Sequence, residues 1–300
     1  MPTKKPSLPA GRQAHKVLLE KWAAENLKLK RDLAKKHGSS LKWLSQNSKN
    51  LALGSLGALL MLASSGPQAS SIRHVTFAQE EAKKNIDQKA FLISDLSNVL
   101  PKQVRPLDQT EESQISQILS RSFGLDVKPT LEGKRLNTTY GIIGKEQHLA
   151  RFPGDSIDTH FDNTTDSAKF SSEGMAPGLS AWGYFAKSQT QMTTKDSDRE
   201  KYYIAVQTFL SQDFSERFAQ YRDFYKYRKM LVVNPTNGRA IVADIADAGP
   251  APWTGKQLGG SAEVMSYLER VDGAGRGAVL YFFIDDPNNK VPLGPIDIVK

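Results

Sequence analysis

The chain has 300 residues, of which 39 % are hydrophobic and 24 % are charged. This is enough apolar material for one or two ordinary domains, which excludes a wholly disordered protein. The absence of cysteine excludes disulfide bonds, cysteine-ligated zinc, iron–sulfur clusters and thiol catalysis. The formal net charge of +8 indicates a nucleic-acid-binding domain only if the positive charge lies on the folded part of the chain.

Almost all of the excess positive charge lies at the amino terminus. Residues 1–50 carry 12 lysines and arginines against three acidic residues, whereas residues 51–300 carry 28 basic and 29 acidic residues. We therefore interpret residues 1–50 as a basic cytoplasmic tail and expect no nucleic-acid partner for the folded domain. Binding of nucleic acid by the tail alone is the alternative.

An uncharged apolar run, LALGSLGALLMLA over residues 51–63, follows the tail and is itself followed by small residues. It resembles the apolar region of a signal peptide, and it is short for a helix that spans a bilayer. Because the basic residues come first, the positive-inside rule directs the chain after about residue 66 out of the cytoplasm.

We predict that residues 51–69 form a signal peptide or a membrane anchor, with residues 51–63 contacting the membrane if they are not cleaved. The protein is then extracytoplasmic, either secreted or anchored by this N-terminal segment. A buried core helix is the alternative, although glycine and serine within the run make a poor helix interior in water.

Residues 70–130 are predicted to form a helical connector. Its best helix follows Asp108, because Glu111 and Glu112 place negative charge in a first turn and apolar residues then recur at helical spacing. Gly124 ends this pattern as a C-terminal glycine does. We assign no chemistry to the connector.

The sequence after the connector is typical of a β-rich domain, which we predict over residues 131–300. Asn237 and Gly238 separate two β-branched runs and predict a hairpin. The continuous apolar run over residues 278–284 predicts a strand that passes through the core. One amphipathic helix is predicted at about residues 213–228, and its aromatic residues either pack on the core or stack on sugars or nucleobases.

A family resemblance lies in the second half of the hairpin. The stretch Asn237-Gly-Arg-Ala-Ile-Val-Ala-Asp-Ile-Ala-Asp247-Ala-Gly-Pro250 resembles the N-G-(R/K)-x-V-x-V-x-(V/I)-x-D-R-G-P pattern of the double-psi β-barrel superfamily. That superfamily includes rare lipoprotein A, the expansins and barwin-like domains, and some lytic transglycosylases are related to it. The resemblance implies a mainly β, overall α+β protein with a six-stranded double-psi β-barrel-like C-terminal domain preceded by helical segments.

The resemblance also implies a catalytic role for Asp247. In the related transglycosylases one aspartate acts as general acid and base on the glycosidic oxygen, and Asp247 is at the matching position. Ala248 replaces the family's arginine, and residues 256–261 contain no counterpart of its second aspartate. A carboxyl in a partly apolar groove near Trp253 fits a general acid with a raised pKa. A structural role as a turn cap is an equally good interpretation.

A dense polar cluster covers residues 146–162. His148 and Asp155 have the H-x6-D spacing of D-Ala-D-Ala-type zinc peptidases, but no histidine follows His160 in the sequence. One interpretation is a zinc site made of His148 and His160 with Asp155 or Asp158, and hence a zinc-dependent peptidase.

The preferred interpretation of the same cluster is a polar groove wall without a metal. Glu146 is then a second catalytic carboxylate opposite Asp247. The other polar residues of the wall contact the substrate: His148, Asp155 and His160.

Aromatic residues beside glycines complete the predicted groove. Trp182, Tyr184 and Trp253 are candidates for stacking on sugar rings, and core packing is the alternative for the first two. The glycine-rich segments match neither a P-loop nor a dinucleotide-binding fingerprint, and we predict no cofactor.

Together, these features predict an exported cell-envelope protein that acts on or binds peptidoglycan or another polysaccharide. As an enzyme it would cleave a glycosidic bond in the manner of a lytic transglycosylase, with Asp247 as general acid and base. The first alternative is a non-catalytic, expansin-like wall-binding or structural module. The second is the zinc-dependent peptidase based on the His148–His160 cluster.

Overall fold

The computed structural model describes residues 88–270 and 275–299. The predicted basic tail, the predicted signal segment and the first part of the predicted connector lie outside these residues. None of the helices in the described part of the chain combines the length and the hydropathy needed to traverse a bilayer.

In the part of the chain that the structure describes, two helices precede the strands: residues 88–99 form α1 and Gln109–Phe123 forms α2. The carboxylate of Asp108 accepts hydrogen bonds from two backbone N–H groups in the first turn of α2, and Glu111 reaches back to the N–H of Asp108. At the other end, Gly124 has a φ of 63°, a left-handed conformation that glycine adopts without strain. Helix α2 therefore begins and ends where its capping residues predict.

The remaining elements alternate between short helices and strands. The strands are β1 (Val127–Lys128), β2 (Thr130–Leu131), β3 (Lys134–Arg135), β4 (Tyr140–Lys145), β5 (Tyr203–Val206), β6 (Lys229–Val233), β7 (Ala240–Ala248), β8 (Leu258–Gly260), β9 (Arg276–Ile284) and β10 (Gly294–Ile296). The helices are α3 (Thr164–Phe170), α4 (Thr194–Lys201), α5 (Phe218–Tyr225) and α6 (Ala262–Leu268), with 3₁₀ turns at Ser171–Glu173, Gln189–Gln191, Thr208–Leu210 and Pro252–Thr254.

Within residues 88–270 and 275–299, six strands close into a barrel in the order β4-β8-β5-β7-β6-β9, with β9 pairing back to β4. The pairs β4–β8 and β5–β7 are parallel, and the other four pairs are antiparallel. The predicted fold class is thereby confirmed: an α+β protein whose six-stranded mixed barrel is preceded by helices. Strands β1 and β10 add to the outside of this ring, beside β9 and β7.

The barrel interior is a hydrophobic cluster to which all six strands contribute. Side chains of strand β7 alternate between two faces: Ile241, Ala243 and Ile245 point into this cluster, and Val242 points to the other face. Helix α6 adds Val264, Met265 and Leu268 to the same interior.

A second hydrophobic cluster covers the outside of β6, β7 and β9. Helices α1 and α2 pack here through apolar side chains. Strand β9 is consequently buried on both faces, with Tyr281 pointing inward and Phe282 outward. This explains why its sequence is apolar without interruption. The helical side chains in this cluster are Leu92, Leu96, Ile115, Leu119 and Phe123.

The predicted amphipathic helix is shorter than its pattern suggests. Helix α5 begins at Phe218, without a side-chain cap. Asp213, the first residue of the predicted helix, accepts a hydrogen bond from the hydroxyl of Tyr221. The aromatic residues Tyr221, Phe224 and Tyr225 pack into the barrel interior cluster, as the core-packing interpretation expects.

Candidate functional site

The carboxylates of Glu146 and Asp247 lie at the two ends of a row of neighbouring residues that crosses the barrel strands β4, β8, β5 and β7. Glu146 directly follows β4, and its backbone N–H donates to the carbonyl oxygen of Gly260 at 2.9 Å. Asp247 lies near the end of β7. Between them, Gly259 on β8 pairs with Ala205 on β5, and Ala205 pairs with Asp247 after a register shift. Because the two intervening residues are small, the floor of the row is mostly backbone.

The side chain of Glu146 rests on the backbone of Gly259. A Cβ atom at position 259 would come within 2.5 Å of Glu146 Cγ, so only glycine leaves room for the carboxylate. The Oε1 atom of Glu146 pairs with Nζ of Lys256 at 2.5 Å, and the Glu146 side chain is 28 % exposed. The carboxylate is therefore held in place while one side of it faces solvent.

Asp247 is half-buried and is tied to the loop that follows α3. Its Oδ1 atom accepts hydrogen bonds from the backbone N–H of Ala181 at 2.7 Å and of Ala248 at 2.8 Å. Burial raises the pKa of Asp247, and the negative charge of Glu146 raises it further, against the lowering effect of the two N–H groups. The side chain thus combines the two roles that the sequence left open, a backbone cap and a carboxyl that retains its proton more readily than usual.

Replacing Glu146 by glutamine is expected to lower the pKa of Asp247. Glutamine keeps the shape of the side chain and removes the negative charge that opposes ionisation of Asp247. The measurement is an NMR titration of the Asp247 carboxyl carbon in both proteins. Glu173→Gln is the matched control, since it removes a carboxylate that pairs with Lys145 at 2.6 Å. An Asp247 titration that is unchanged in Glu146→Gln would contradict the coupling of the two carboxyls.

Two of the three predicted aromatic residues present exposed rings. Trp253 is 88 % exposed and lies in the 3₁₀ turn that follows Asp247, and Tyr184 is 37 % exposed in the loop that binds Asp247. Trp182 is only 6 % exposed and packs on Phe218 with the ring centroids 6.1 Å apart. Its ring belongs to the barrel core cluster and is not open to a ligand.

A second polar cluster lies on the segment that links β4 to α4. His160 Nε2 is 3.0 Å from Glu200 Oε2, and His148 Nδ1 is 3.6 Å from Glu200 Oε1. The two imidazole rings lie 4.7 Å apart between centroids. All three side chains are buried. Glu200 comes from α4 and the histidines from the preceding segment, so the cluster depends on the tertiary fold.

Outer hydrogen bonds fix the orientation of both imidazole rings. Asp155 Oδ2 lies 2.9 Å from His160 Nδ1, and the same carboxylate oxygen accepts from Arg151. The backbone carbonyl oxygen of Phe170 lies 3.2 Å from His148 Nε2. In each ring, therefore, the nitrogen that faces away from Glu200 has its own partner.

The carboxylates and histidines of this cluster shift one another's titration. Burial by itself lowers the pKa of His160, but hydrogen bonds to Asp155 and Glu200 outweigh it and raise the pKa to about 9. Burial would raise the pKa of both carboxyls, yet their contacts with His160, His148 and Arg151 bring each to about 2. At neutral pH, His160 is therefore protonated and lies between the ionised carboxylates of Asp155 and Glu200.

A cavity of about 300 Å³ opens beside this cluster. Its lining includes His160, Glu200 and Glu263, together with polar residues of α4. Glu263 is 8 % exposed, and burial together with the charge of Glu200 raises its pKa to about 7. The cluster is thus buried but reachable from an open cavity.

Of the predicted zinc ligands, the structure brings His148, His160 and Asp155 together, with Asp155 behind His160. Asp158 is exposed and is not part of the group of potential metal ligands found among the described residues. The third member of that group is Glu200, which the sequence analysis did not single out.

No protein-family model matches this chain, and no curated protein does.

Sequence reasoning missed Glu200, Glu263 and Lys256. Helix α4 has the sequence TKDSDREK and contains no apolar residue, so hydrophobic periodicity gives no sign that Glu200 faces inward. Glu263 stands in the first turn of α6, where an acidic residue is ordinary. The only usable signal lay in the density of carboxylates and histidines around Glu146, which identified the region but not its distant partners.

Proposed function

We propose that the barrel acts on peptidoglycan or another polysaccharide in the cell envelope. The polysaccharide lies along the row between Glu146 and Asp247. Asp247 acts as general acid on the glycosidic oxygen while the bond from this oxygen to the anomeric carbon breaks. The Asp247 carboxylate then acts as general base on the C6 hydroxyl, whose oxygen bonds to the anomeric carbon to give a 1,6-anhydro sugar. The observation that carries this proposal is the pair of coupled carboxyls, one of them with a raised pKa, at the two ends of a row floored by small residues.

The electrostatics of the pair support acid–base chemistry. A general acid must hold its proton near the working pH, and burial with a like charge nearby is how a carboxyl comes to do so. Asp247 has both influences, while Glu146 is paired with Lys256. Two carboxyls in different environments are what glycosidic cleavage uses.

The surroundings of Asp247 suit a sugar polymer. The exposed indole of Trp253 and the partly exposed ring of Tyr184 lie on the two segments that adjoin Asp247. Aromatic faces stack on the apolar faces of sugar rings. The glycines of the adjoining loop leave open space: nothing lies within 4 Å of a Cβ atom built at Gly178 or Gly183.

The resemblance to double-psi β-barrel proteins agrees with these features. A closed six-stranded mixed barrel is compatible with that superfamily, and Asp247 lies at the end of the strand that carries the motif. The segment that lacks the family's second aspartate includes Gly259, and the carboxylate of Glu146 lies over this glycine. We infer that Glu146 supplies from β4 the second carboxylate that β8 lacks.

A non-catalytic wall-binding module is the second candidate. It is favoured by the two backbone hydrogen bonds to Asp247 Oδ1, which are the contacts of a structural cap. The replacement of the family's arginine by Ala248 also favours it. Both candidates use the same row and the same polymer.

The deciding experiment incubates the full chain with peptidoglycan sacculi and analyses the soluble fraction by mass spectrometry. The protein is expected to release 1,6-anhydro muropeptides, and Asp247→Asn is expected to lower the release at least about 100-fold. Asparagine can still accept the two backbone hydrogen bonds, so the loop attachment is kept. Asp297→Asn, an exposed aspartate next to β10, is the control and should leave the release unchanged.

The other outcomes separate the candidates. Protein that sediments with sacculi but releases nothing is a binding module, and the proposed cleavage is then wrong. Protein that neither sediments nor releases fragments contradicts both candidates with peptidoglycan as the polymer.

A further inference from the structure

The cluster around Glu200 has the donor set of a metal site. His148, His160 and Glu200 each offer one ligand atom, and these atoms all lie within 4.8 Å of one another. A tetrahedral zinc ion with ligand distances near 2 Å holds its donors about 3.3 Å apart. His160 Nε2 lies 3.0 Å from Glu200 Oε2, and His148 Nδ1 lies 3.6 Å from Glu200 Oε1. Each histidine therefore has one carboxylate oxygen near that separation, and the donor atoms as a group must approach one another to bind the ion.

The outer hydrogen bonds point the correct nitrogen of each ring toward the centre. Metal-binding histidines nearly always donate their other ring N–H to a carboxylate or a backbone carbonyl. His160 has Asp155 at 2.9 Å in that position, and His148 has the carbonyl oxygen of Phe170 at 3.2 Å. Both partners stand behind the ring, so Nε2 of His160 and Nδ1 of His148 face Glu200.

One of these inward atoms makes no close hydrogen bond. The His148 side chain is fully buried, and its Nδ1 atom has no hydrogen-bond partner among the described residues. It makes an ion-pair contact with Glu200 Oε1, but this distance of 3.6 Å is too long for a hydrogen bond. Buried polar atoms without a partner are rare in folded proteins, and an unseen ion is one of the standard explanations.

We propose that His148, His160 and Glu200 bind a divalent transition-metal ion of the zinc class, with Asp155 and the Phe170 carbonyl oxygen as the outer partners of the two histidines. Two imidazoles and one carboxylate suit zinc. The cavity beside His160 and Glu200 leaves room for a water molecule or a substrate atom as the fourth ligand. Three protein ligands with one open position are typical of catalytic rather than structural zinc.

This site is distinct from the row between Glu146 and Asp247. It contains neither of those carboxyls, and metal binding there does not depend on the proposed polysaccharide. The competing explanation is a buried ion-pair network, in which a proton on His160 takes the place of the metal between Asp155 and Glu200. A direct measurement of metal binding distinguishes the two explanations, because only the first expects a zinc ion to bind.

The test titrates ZnCl₂ into the chelator-treated full chain by isothermal calorimetry at pH 7.5. To remove other imidazoles, the background protein carries glutamine at the three histidines before residue 88, His15, His37 and His74. We expect one zinc ion per chain and an increase in Tm that follows the same stoichiometry. His148→Gln is expected to weaken binding at least 100-fold.

Two further measurements keep the test decisive if His148→Gln is unstable. Glu200→Gln keeps the side-chain volume and an acceptor for the backbone N–H of Leu149, and it should also lose zinc. Co²⁺ in place of zinc should give the visible absorption bands of a four-coordinate site, and circular dichroism checks that each variant is folded. Folded background protein that takes up no zinc, or that binds zinc equally well in both variants, would overturn the proposal in favour of the ion-pair network.

Discussion

Asp244→Asn is expected to stabilise the protein at pH 8 by about 2–3 kcal/mol and to change its stability much less at pH 5. Asp244 is 2 % exposed on β7, and burial raises its pKa from 3.8 to about 7 even though Arg199 and Lys229 lower it. The Oδ1 atom has no hydrogen-bond partner in the described part of the chain. The ionised carboxylate is therefore poorly accommodated.

The direction of the pH dependence follows from the pKa values of Asp244 in the unfolded and folded states, 3.8 and about 7. A carboxyl whose pKa is higher in the folded state favours folding while it is protonated, and this contribution is fully present only below about pH 4. It is lost as the pH rises through the folded-state pKa of about 7. A difference of about three pKa units corresponds to about 4 kcal/mol, and this net value already includes the attraction of Arg199 at 3.4 Å. The expected gain is smaller because the asparagine amide is also a buried polar group.

The measurement is urea unfolding of both proteins at pH 5 and pH 8. Asp223→Asn is the control, because the Asp223 side chain is 69 % exposed and should show no such pH dependence. A loss of stability in Asp244→Asn that is equal at both pH values would show that the ionised form pairs well with Arg199, contrary to the expectation.

Asn234→Ala is expected to lower the free energy of unfolding by about 3–4 kcal/mol. Asn234 is 1 % exposed in the loop between β6 and β7. Its Nδ2 donates to the carbonyl oxygen of Leu268 at 2.7 Å, and its Oδ1 accepts from the backbone N–H and the hydroxyl of Thr236 at 2.9 and 2.8 Å. The same oxygen accepts from the guanidinium of Arg270. Alanine removes all four bonds and leaves buried groups without this partner.

The matched control for this change is Asn237→Ala in the same loop. Asn237 donates to the same Leu268 oxygen at a longer 3.2 Å and also contacts Glu269. Its position is half-buried, so water can replace the lost contacts and the expected cost is about 1 kcal/mol. Urea unfolding of the two variants side by side measures the difference. Equal effects would mean that burial of Asn234 contributes nothing.

The elements that were predictable have signals within their own residues. Helix α2 shows its N-terminal acidic residues and Gly124, and the hairpin of β6 and β7 shows Asn237 and Gly238 between two β-branched runs. Strand β9 is recognisable because both of its faces are buried. By contrast, α5 begins at Phe218 without a side-chain cap, and Asp213 accepts a hydrogen bond from the Tyr221 hydroxyl. Local capping patterns do not contain that information.

In the candidate sites, too, the predictable residues are those with a signal in the neighbouring sequence. Asp247 and the histidine-rich segment stand out in the sequence because a motif or a density of polar residues marks them. Their partners come from elsewhere in the chain: Lys256 reaches Glu146 from the segment before β8, and Glu200 reaches the histidines from α4. Trp182 is ambiguous for a related reason, since an aromatic residue beside glycines has the same sequence whether it faces a ligand or the core.

Closure of the ring has a mechanical consequence for the two carboxylates at its surface. Each of the six strands is hydrogen-bonded on both sides, and the segments that carry Glu146 and Asp247 are separated by two fully paired strands. Moving them apart would require breaking a ladder of backbone hydrogen bonds, whereas a hinge between two lobes would open freely. The barrel is thus a stiff frame of fixed spacing, and adjustment to polymers of different thickness must come from the loops above it.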